Sequence, residues 1–169
     1  MIPLPEKPAF NPGNPAQYWV NASQVYNGLY ALSGSNPFSI AALANADMES
    51  SFRMDVEGDS DTAYNLWQWH WVPRGQRILD ATGIDIRTER SIKKVCGALW
   101  WEVSNVKPYK TALSLMLGAK TYEAACPIFT TMIEGAGAAD AVARREQDAG
   151  FWGAWVARNG IFLASRPAL

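Results

Sequence analysis

The chain has 169 residues, 49% of them hydrophobic and 18% charged, with 15 basic against 16 acidic side chains and a formal net charge of −1. That length suits one domain with a substantial core, and the composition excludes a disordered chain. The charge balance argues against a nucleic-acid binder, and a single histidine with no Cys-x-x-Cys pair argues against a zinc site.

Residues 1–15 hold five prolines, Pro3, Pro5, Pro8, Pro12 and Pro15, which predicts an extended surface arm ahead of one domain over residues 16–169. The first residues lack a positive stretch followed by an apolar one, so no secretory signal is expected there. Trp19, Val20, Ser23, Tyr26, Leu29, Tyr30 and Leu32 then recur at helical spacing, with Gly34 as the stop. A second helix starts near Pro37, carries Ile40, Leu43, Ala44 and Met48 on one face, and ends around Glu49 to Phe52.

From Arg53 to Asn65 the helical period disappears. Asp55, Gly58, Asp59, Ser60, Asp61 and Asn65 mark turns and leave room for short strands only. Helices resume beyond Pro73: an apolar stripe from Ile92 to Val103, a short helix opened by Pro108, another from Tyr122 to Ile133, and a last one from Asp140 to Arg158. The fold class is therefore mainly α, a helical bundle with a small β or irregular excursion around residues 53–70. No apolar run is long enough to span a bilayer, so no membrane insertion is expected. Cys96 and Cys126 lie in apolar helical contexts and read as buried thiols. No metal or organic cofactor is implied.

Glu49 closes the second helix, and Gln68, Trp69 and His70 follow it after the turn-rich excursion. A solvated glutamate is the commonest fate for such a residue. A carboxyl partly withdrawn from water, however, favours its neutral form and can deliver a proton to a glycosidic oxygen. Asp55, Glu57, Asp59 and Asp61 are candidates for a second carboxylate, with Asp59 the choice; two carboxyls about 5 to 9 Å apart would attack the sugar or activate water, depending on the distance. Alternation places Gln68 and His70 on one side of the segment and Trp67 and Trp69 on the other. Gln68 suits an acetamido carbonyl or a water, and His70 suits orienting either. Eight tryptophans serve both core packing and flat platforms for sugar rings, and at least one of Trp67, Trp69 and Trp71 belongs to the core. Arg74 suits a loop aspartate or a substrate carboxylate.

The order Glu-Ser-x-Phe, a turn-rich segment, then Ala-Tyr-x-Leu-x-Gln-Trp resembles the tail-associated lysozymes of bacteriophages and, more distantly, the lytic transglycosylases. The matching residues are Asn45, Glu49, Ser50, Phe52, Gly58, Asp59, Ala63, Tyr64, Leu66, Gln68, Trp69, His70 and Arg74. Trp101-Glu102, and Glu134 ahead of Arg144-Arg145, fit more loosely. Ala44 and Asn65 stand where that family usually has glycine; Asn65 tolerates positive φ, but its side chain is expected to intrude where backbone normally lies against substrate.

The resemblance implies a lysozyme-like α+β fold and a muramidase cleaving the β-1,4 bond from N-acetylmuramic acid to N-acetylglucosamine. Glu49 and Asp59 would be catalytic, and Tyr64, Gln68, Trp69 and His70 substrate-binding. The alternatives are a lytic transglycosylase using the same Glu49 and a non-catalytic virion or glycan-binding module. The implied partners are peptidoglycan strands, with phage tail proteins or a membrane-permeabilising release partner. The implied location is the host cytoplasm before release, or the virion tail.

Overall fold

A computed structural model describes residues 14–58 and 61–164, with side chains through residue 159. The helices are α1 (Pro15–Ser33), α2 (Asn36–Ser50), α3 (Gln76–Thr82), α4 (Ile92–Asn105), α5 (Lys107–Gly118), α6 (Tyr122–Ile128) and α7 (Ala139–Ala164). Pro15, read from the sequence as the end of the arm, is instead the first residue of α1. Asn14 caps it, accepting from the Gln17 N–H at 3.2 Å, and a proline at that position has no N–H to waste. The rest of the expected arm, and Asp59, lie outside the described residues.

Gly34 ends α1 as anticipated, at φ 63° with its N–H on the Tyr30 carbonyl. Ser35 then caps α2 through the Phe38 N–H. Every residue of α2 from Phe38 to Asp47 is buried, so this helix has no solvent face and runs through the middle of the bundle. α1 and α4 pack together on one side, and α6 and α7 cover the other. Phe129–Ile133 continues α6 as a wider turn of π type.

Three strands of two residues each make up the excursion: β1 (Glu57–Gly58), β2 (Ala63–Tyr64) and β3 (Trp69–His70). They pair antiparallel in the order β1-β2-β3, with Glu57 opposite Tyr64 and Ala63 opposite His70. This small sheet beside a helical bundle is the mainly α, lysozyme-like arrangement that the sequence implies.

The tryptophans mostly serve the core. Trp67, Trp69 and Trp152 are fully buried and Trp155 nearly so. Trp152 meets Phe52 edge-on, with ring centres 5.3 Å apart, and donates its indole N–H to Asp47 and Asp148 at 2.9 and 3.0 Å. Cys96 and Cys126 are buried free thiols, each pushed up to about 12 by burial. No helix among the described residues is long and apolar enough to cross a membrane.

Candidate functional site

Glu49 is the penultimate residue of α2, and the chain turns sharply after it. Ser51 and Phe52 both take left-handed backbone angles, φ 57° and 58°, a costly pair for residues with side chains. The turn is held from both sides. The Ser51 N–H reaches the Asp47 carbonyl at 2.8 Å, and Asn21 of α1 donates to the Phe52 carbonyl at 2.9 Å. Phe52 packs into the core against Tyr18 and Trp152. Ser50 donates its hydroxyl to the Leu66 carbonyl at 2.9 Å, and the Trp67 indole N–H reaches the Ala42 carbonyl at 3.0 Å. The polar-aromatic segment thus returns to the helix that ends in Glu49.

The Glu49 carboxylate accepts a hydrogen bond from Nη2 of Arg145, which comes from α7. Its side chain keeps 22% of its surface exposed and Arg145 keeps 11%, so the pair sits at the rim of the core. Three further charges lie behind it. Glu102 of α4 is fully buried and is held by the Trp69 indole N–H at 2.9 Å and by two Arg74 nitrogens, each at 2.9 Å. Arg74 also reaches Glu134 at 3.6 Å and lies over the Tyr109 ring. Burial alone would lower the Arg74 pKa, but the hydrogen bonds to Glu102 and the charge of Glu134 raise it overall, so it remains a cation. The sequence left Arg74 to a loop aspartate or a substrate; the structure gives it to two buried glutamates.

Glu134 behaves differently. Its side chain is 5% exposed and its Oε1 is buried with no hydrogen-bond partner. Burial raises its pKa from 4.5 to about 7; Arg74 opposes the shift, Glu49 and Glu102 reinforce it, and Arg145 opposes it. Because the native state holds this proton more tightly than the unfolded chain, its contribution to stability is full below about pH 4.5 and is lost as pH rises through 7. The loss amounts to at most about 3 kcal/mol. Glu134→Gln, neutral at every pH, removes that dependence. Thermal unfolding of both proteins should show the difference in Tm moving in the variant's favour between about pH 5 and pH 8.

The residues expected at the substrate divide into two groups. Trp69 is fully buried, with its N–H committed to Glu102, so it braces the charge cluster from the core side. Gln68, at φ 45°, turns its amide nitrogen to the carbonyls of Asn65 and Val56, and its oxygen fills the space where a Cβ on Gly58 would sit. It therefore ties β1 to the turn before β3. His70 is exposed, with Nδ1 3.4 Å from the Thr62 hydroxyl. Tyr64 is half-buried and donates its hydroxyl to the Asp61 carbonyl.

Asn65 does not intrude as expected. At φ 69° it is fully buried; its amide donates to the carbonyls of Ile86 and Glu89 at 2.9 and 3.0 Å, and its oxygen accepts from the Leu66 N–H at 2.9 Å. Asparagine here keeps the turn that glycine would make and adds a tie to the loop before α4. Asn65→Gly keeps the backbone but should cost about 1–2 kcal/mol, and Asn65→Ala, strained as well, about 2–4 kcal/mol. Denaturant unfolding should rank wild type above Asn65→Gly and that above Asn65→Ala; Asn65→Ala matching wild type would contradict the assignment.

Sequence reading linked Glu102, Glu134 and Arg145 to the pattern without giving them roles. A usable signal existed for Glu102, an ionisable residue in the otherwise apolar run Leu99 to Val103. Glu134, by contrast, borders a glycine-alanine loop and Arg145 lies within the charged run Arg144 to Asp148, where neither stands out. Among the described residues, no group of His, Cys, Asp and Glu side chains is arranged to hold a metal ion.

Comparison with known proteins adds one family and no individual relative. No curated protein and no solved structure matches the chain. The family model described as phage tail lysozyme matches residues 20–155, a span that includes Glu49, the small sheet, Arg74, Glu102, Glu134 and Arg145. With most of its length matched, the chain belongs to the phage tail lysozyme family, and its function is lysozyme-like and related to peptidoglycan.

Proposed function

We propose that the protein is a muramidase, hydrolysing the β-1,4 bond between N-acetylmuramic acid and N-acetylglucosamine with Glu49 as the general acid. The supporting observation is the setting of Glu49: a partly exposed carboxyl at the end of the buried central helix, hydrogen-bonded by Arg145. Glu49 would give its proton to the glycosidic oxygen as that C–O bond breaks and positive charge develops on the anomeric carbon. Water then completes hydrolysis, with Asp59 assigned from the sequence as the carboxylate that supports it. His70 and Tyr64, which keep accessible surface beside the same segment, would contact the sugar chain, while Gln68 and Trp69 hold that segment in shape. The matching family supports action on the cell wall from a virion tail.

Mass spectrometry of the soluble products released from peptidoglycan tests the reading. Muropeptides with reducing ends are expected, and 1,6-anhydro ends would replace hydrolysis by transglycosylation. No fragments from well-folded protein, on walls from several bacteria, would overturn the enzyme in favour of a glycan-binding virion module.

A further inference from the structure

Of the eight tryptophans, seven are committed to the protein itself: four to the core, Trp19 to a stack on Trp155, Trp100 to Phe38 and Trp71 to the guanidinium of Arg87. Trp101 is the exception. It is half-buried on α4, and its ring meets no other aromatic ring and no guanidinium among the described residues. Its indole N–H is equally uncommitted among them, whereas those of Trp67, Trp69 and Trp152 are spent on buried acceptors. An indole in this state offers a flat apolar face and a polar edge together.

Trp101 lines an open groove of about 540 Å³. Val72 and Pro73 line it from the turn before α3, and Gln76, Arg77 and Asp80 line it from α3 itself. The Gln76 amide donates to Asp80 Oδ1 at 2.8 Å, which orients the pair and leaves Gln76 Oε1 and Asp80 Oδ2 as acceptors. Arg77 is half-buried, yet among the described residues it has neither a carboxylate nor a hydrogen-bond partner. Its guanidinium therefore keeps all its N–H donors for a ligand. The two walls are joined from behind. Arg74 follows Pro73 and Glu102 follows Trp101, and two hydrogen bonds of 2.9 Å connect them. That buried ion pair fixes the turn before α3 against α4, so the groove is preformed.

We propose that this groove is a glycan subsite for an N-acetylmuramic acid unit of peptidoglycan. A C–H face of the sugar lies on the Trp101 indole, its hydroxyls meet the Gln76–Asp80 pair, and the carboxylate of its lactyl group or peptide arm meets Arg77. The choice of peptidoglycan rests on the function proposed above; the fit to an anionic sugar rests on the lining. A pyranose presents an apolar face and a rim of hydroxyls at once, which matches one indole wall and one polar row. An apolar peptide would strip water from Arg77 and Asp80 without pairing either. A neutral sugar would satisfy the indole and the amide–carboxylate pair but leave the guanidinium without its counter-charge, so Arg77 sets the preference for a carboxylate.

The test is fluorine NMR of protein labelled with 5-fluorotryptophan, in Glu49→Gln so that no bond is cut, with the Trp101 resonance identified by its loss in Trp101→Phe. Three ligands are titrated: the N-acetylglucosamine tetramer, an alternating N-acetylglucosamine–N-acetylmuramic acid tetrasaccharide with free lactyl carboxylates, and the same tetrasaccharide carrying stem peptides. The Trp101 resonance should shift, and the better of the two anionic ligands should bind about tenfold more tightly than the neutral tetramer. Which of the two binds better identifies the source of the carboxylate. Arg77→Gln should abolish that preference while changing affinity for the neutral tetramer by less than about twofold, and Trp101→Ala should weaken every ligand about tenfold. Should Trp101→Ala fail to fold, Arg77→Gln decides the matter. The proposal is overturned if the Trp101 resonance does not respond to any of the three ligands, if neutral and anionic ligands bind equally, or if Arg77→Gln leaves the preference intact. Binding requires no turnover, so the two readings fail separately. Peptidoglycan cleavage by wild type with a silent Trp101 overturns the subsite alone, and binding at Trp101 without cleavage by wild type overturns the muramidase alone.

Discussion

Glu49→Gln is expected to reduce release of muropeptides by about a thousandfold or more while leaving the protein folded. Glutamine matches glutamate in volume and retains an oxygen for Arg145, so the contact with α7 survives in neutral form. What disappears is the proton that Glu49 would place on the leaving oxygen. The stability cost is the difference between a charge-assisted and a neutral hydrogen bond at a partly exposed position, about 1 kcal/mol. Product release and thermal unfolding should therefore separate: near-zero activity with a Tm within a few degrees of wild type. Equal loss of both would show that Glu49 is needed for the fold, and retained cleavage would remove it from the chemistry.

Glu102→Ala is expected to do the opposite, acting on the fold first. Glu102 has no exposed surface and holds two Arg74 nitrogens and the Trp69 indole N–H. Its removal leaves a buried guanidinium and a buried indole N–H without their acceptor, a loss of about 3–5 kcal/mol. For a chain of this size that is a large part of the total stability. The double change Glu102→Leu with Arg74→Met removes the unpaired guanidinium and should recover part of the loss, the remainder being the Trp69 indole N–H without an acceptor and Glu134 without its cation. Urea midpoints for the single and double variants test this. Similar destabilisation in both would place the cost in packing, and a stable Glu102→Ala would mean that water reaches Arg74.

Much of the fold is legible in local sequence. Pro37 near a helix start, Gly34 just past a helix end, and the loss of helical period from Arg53 to Asn65 are all signals written within a few residues of the structure they produce, whereas Pro15 reads equally well as the end of a proline-rich arm. Trp67 and Trp69 are both buried, but not by the alternation expected of an extended segment. Residues 65–68 form a turn, with Asn65 and Gln68 at φ 69° and 45°, and Asn65, Leu66 and Trp67 are buried in succession. The strand lengths were not legible, since two-residue strands depend on partners rather than on their own composition.

The site is legible at one end only. Glu49, its helix terminus and the returning segment can be read from residues 45–74, where a serine, a phenylalanine and a run of turn-forming residues follow the carboxylate closely. Nothing in that window says that Glu49 is held by Arg145, 96 positions further along. Nor does it say that Trp69, expected against the sugar, spends its indole N–H on a glutamate 33 positions away. Such pairings arise because burying a charge is costly unless a counter-charge arrives from another element, and that element is chosen by helix packing rather than by proximity in the chain. The sequence by itself determined a helical bundle with a carboxylate at the end of its central helix. Only the packing of the other helices decided that Arg145 of α7 would hold that carboxylate and that Arg74 would be shared by the buried Glu102 and Glu134.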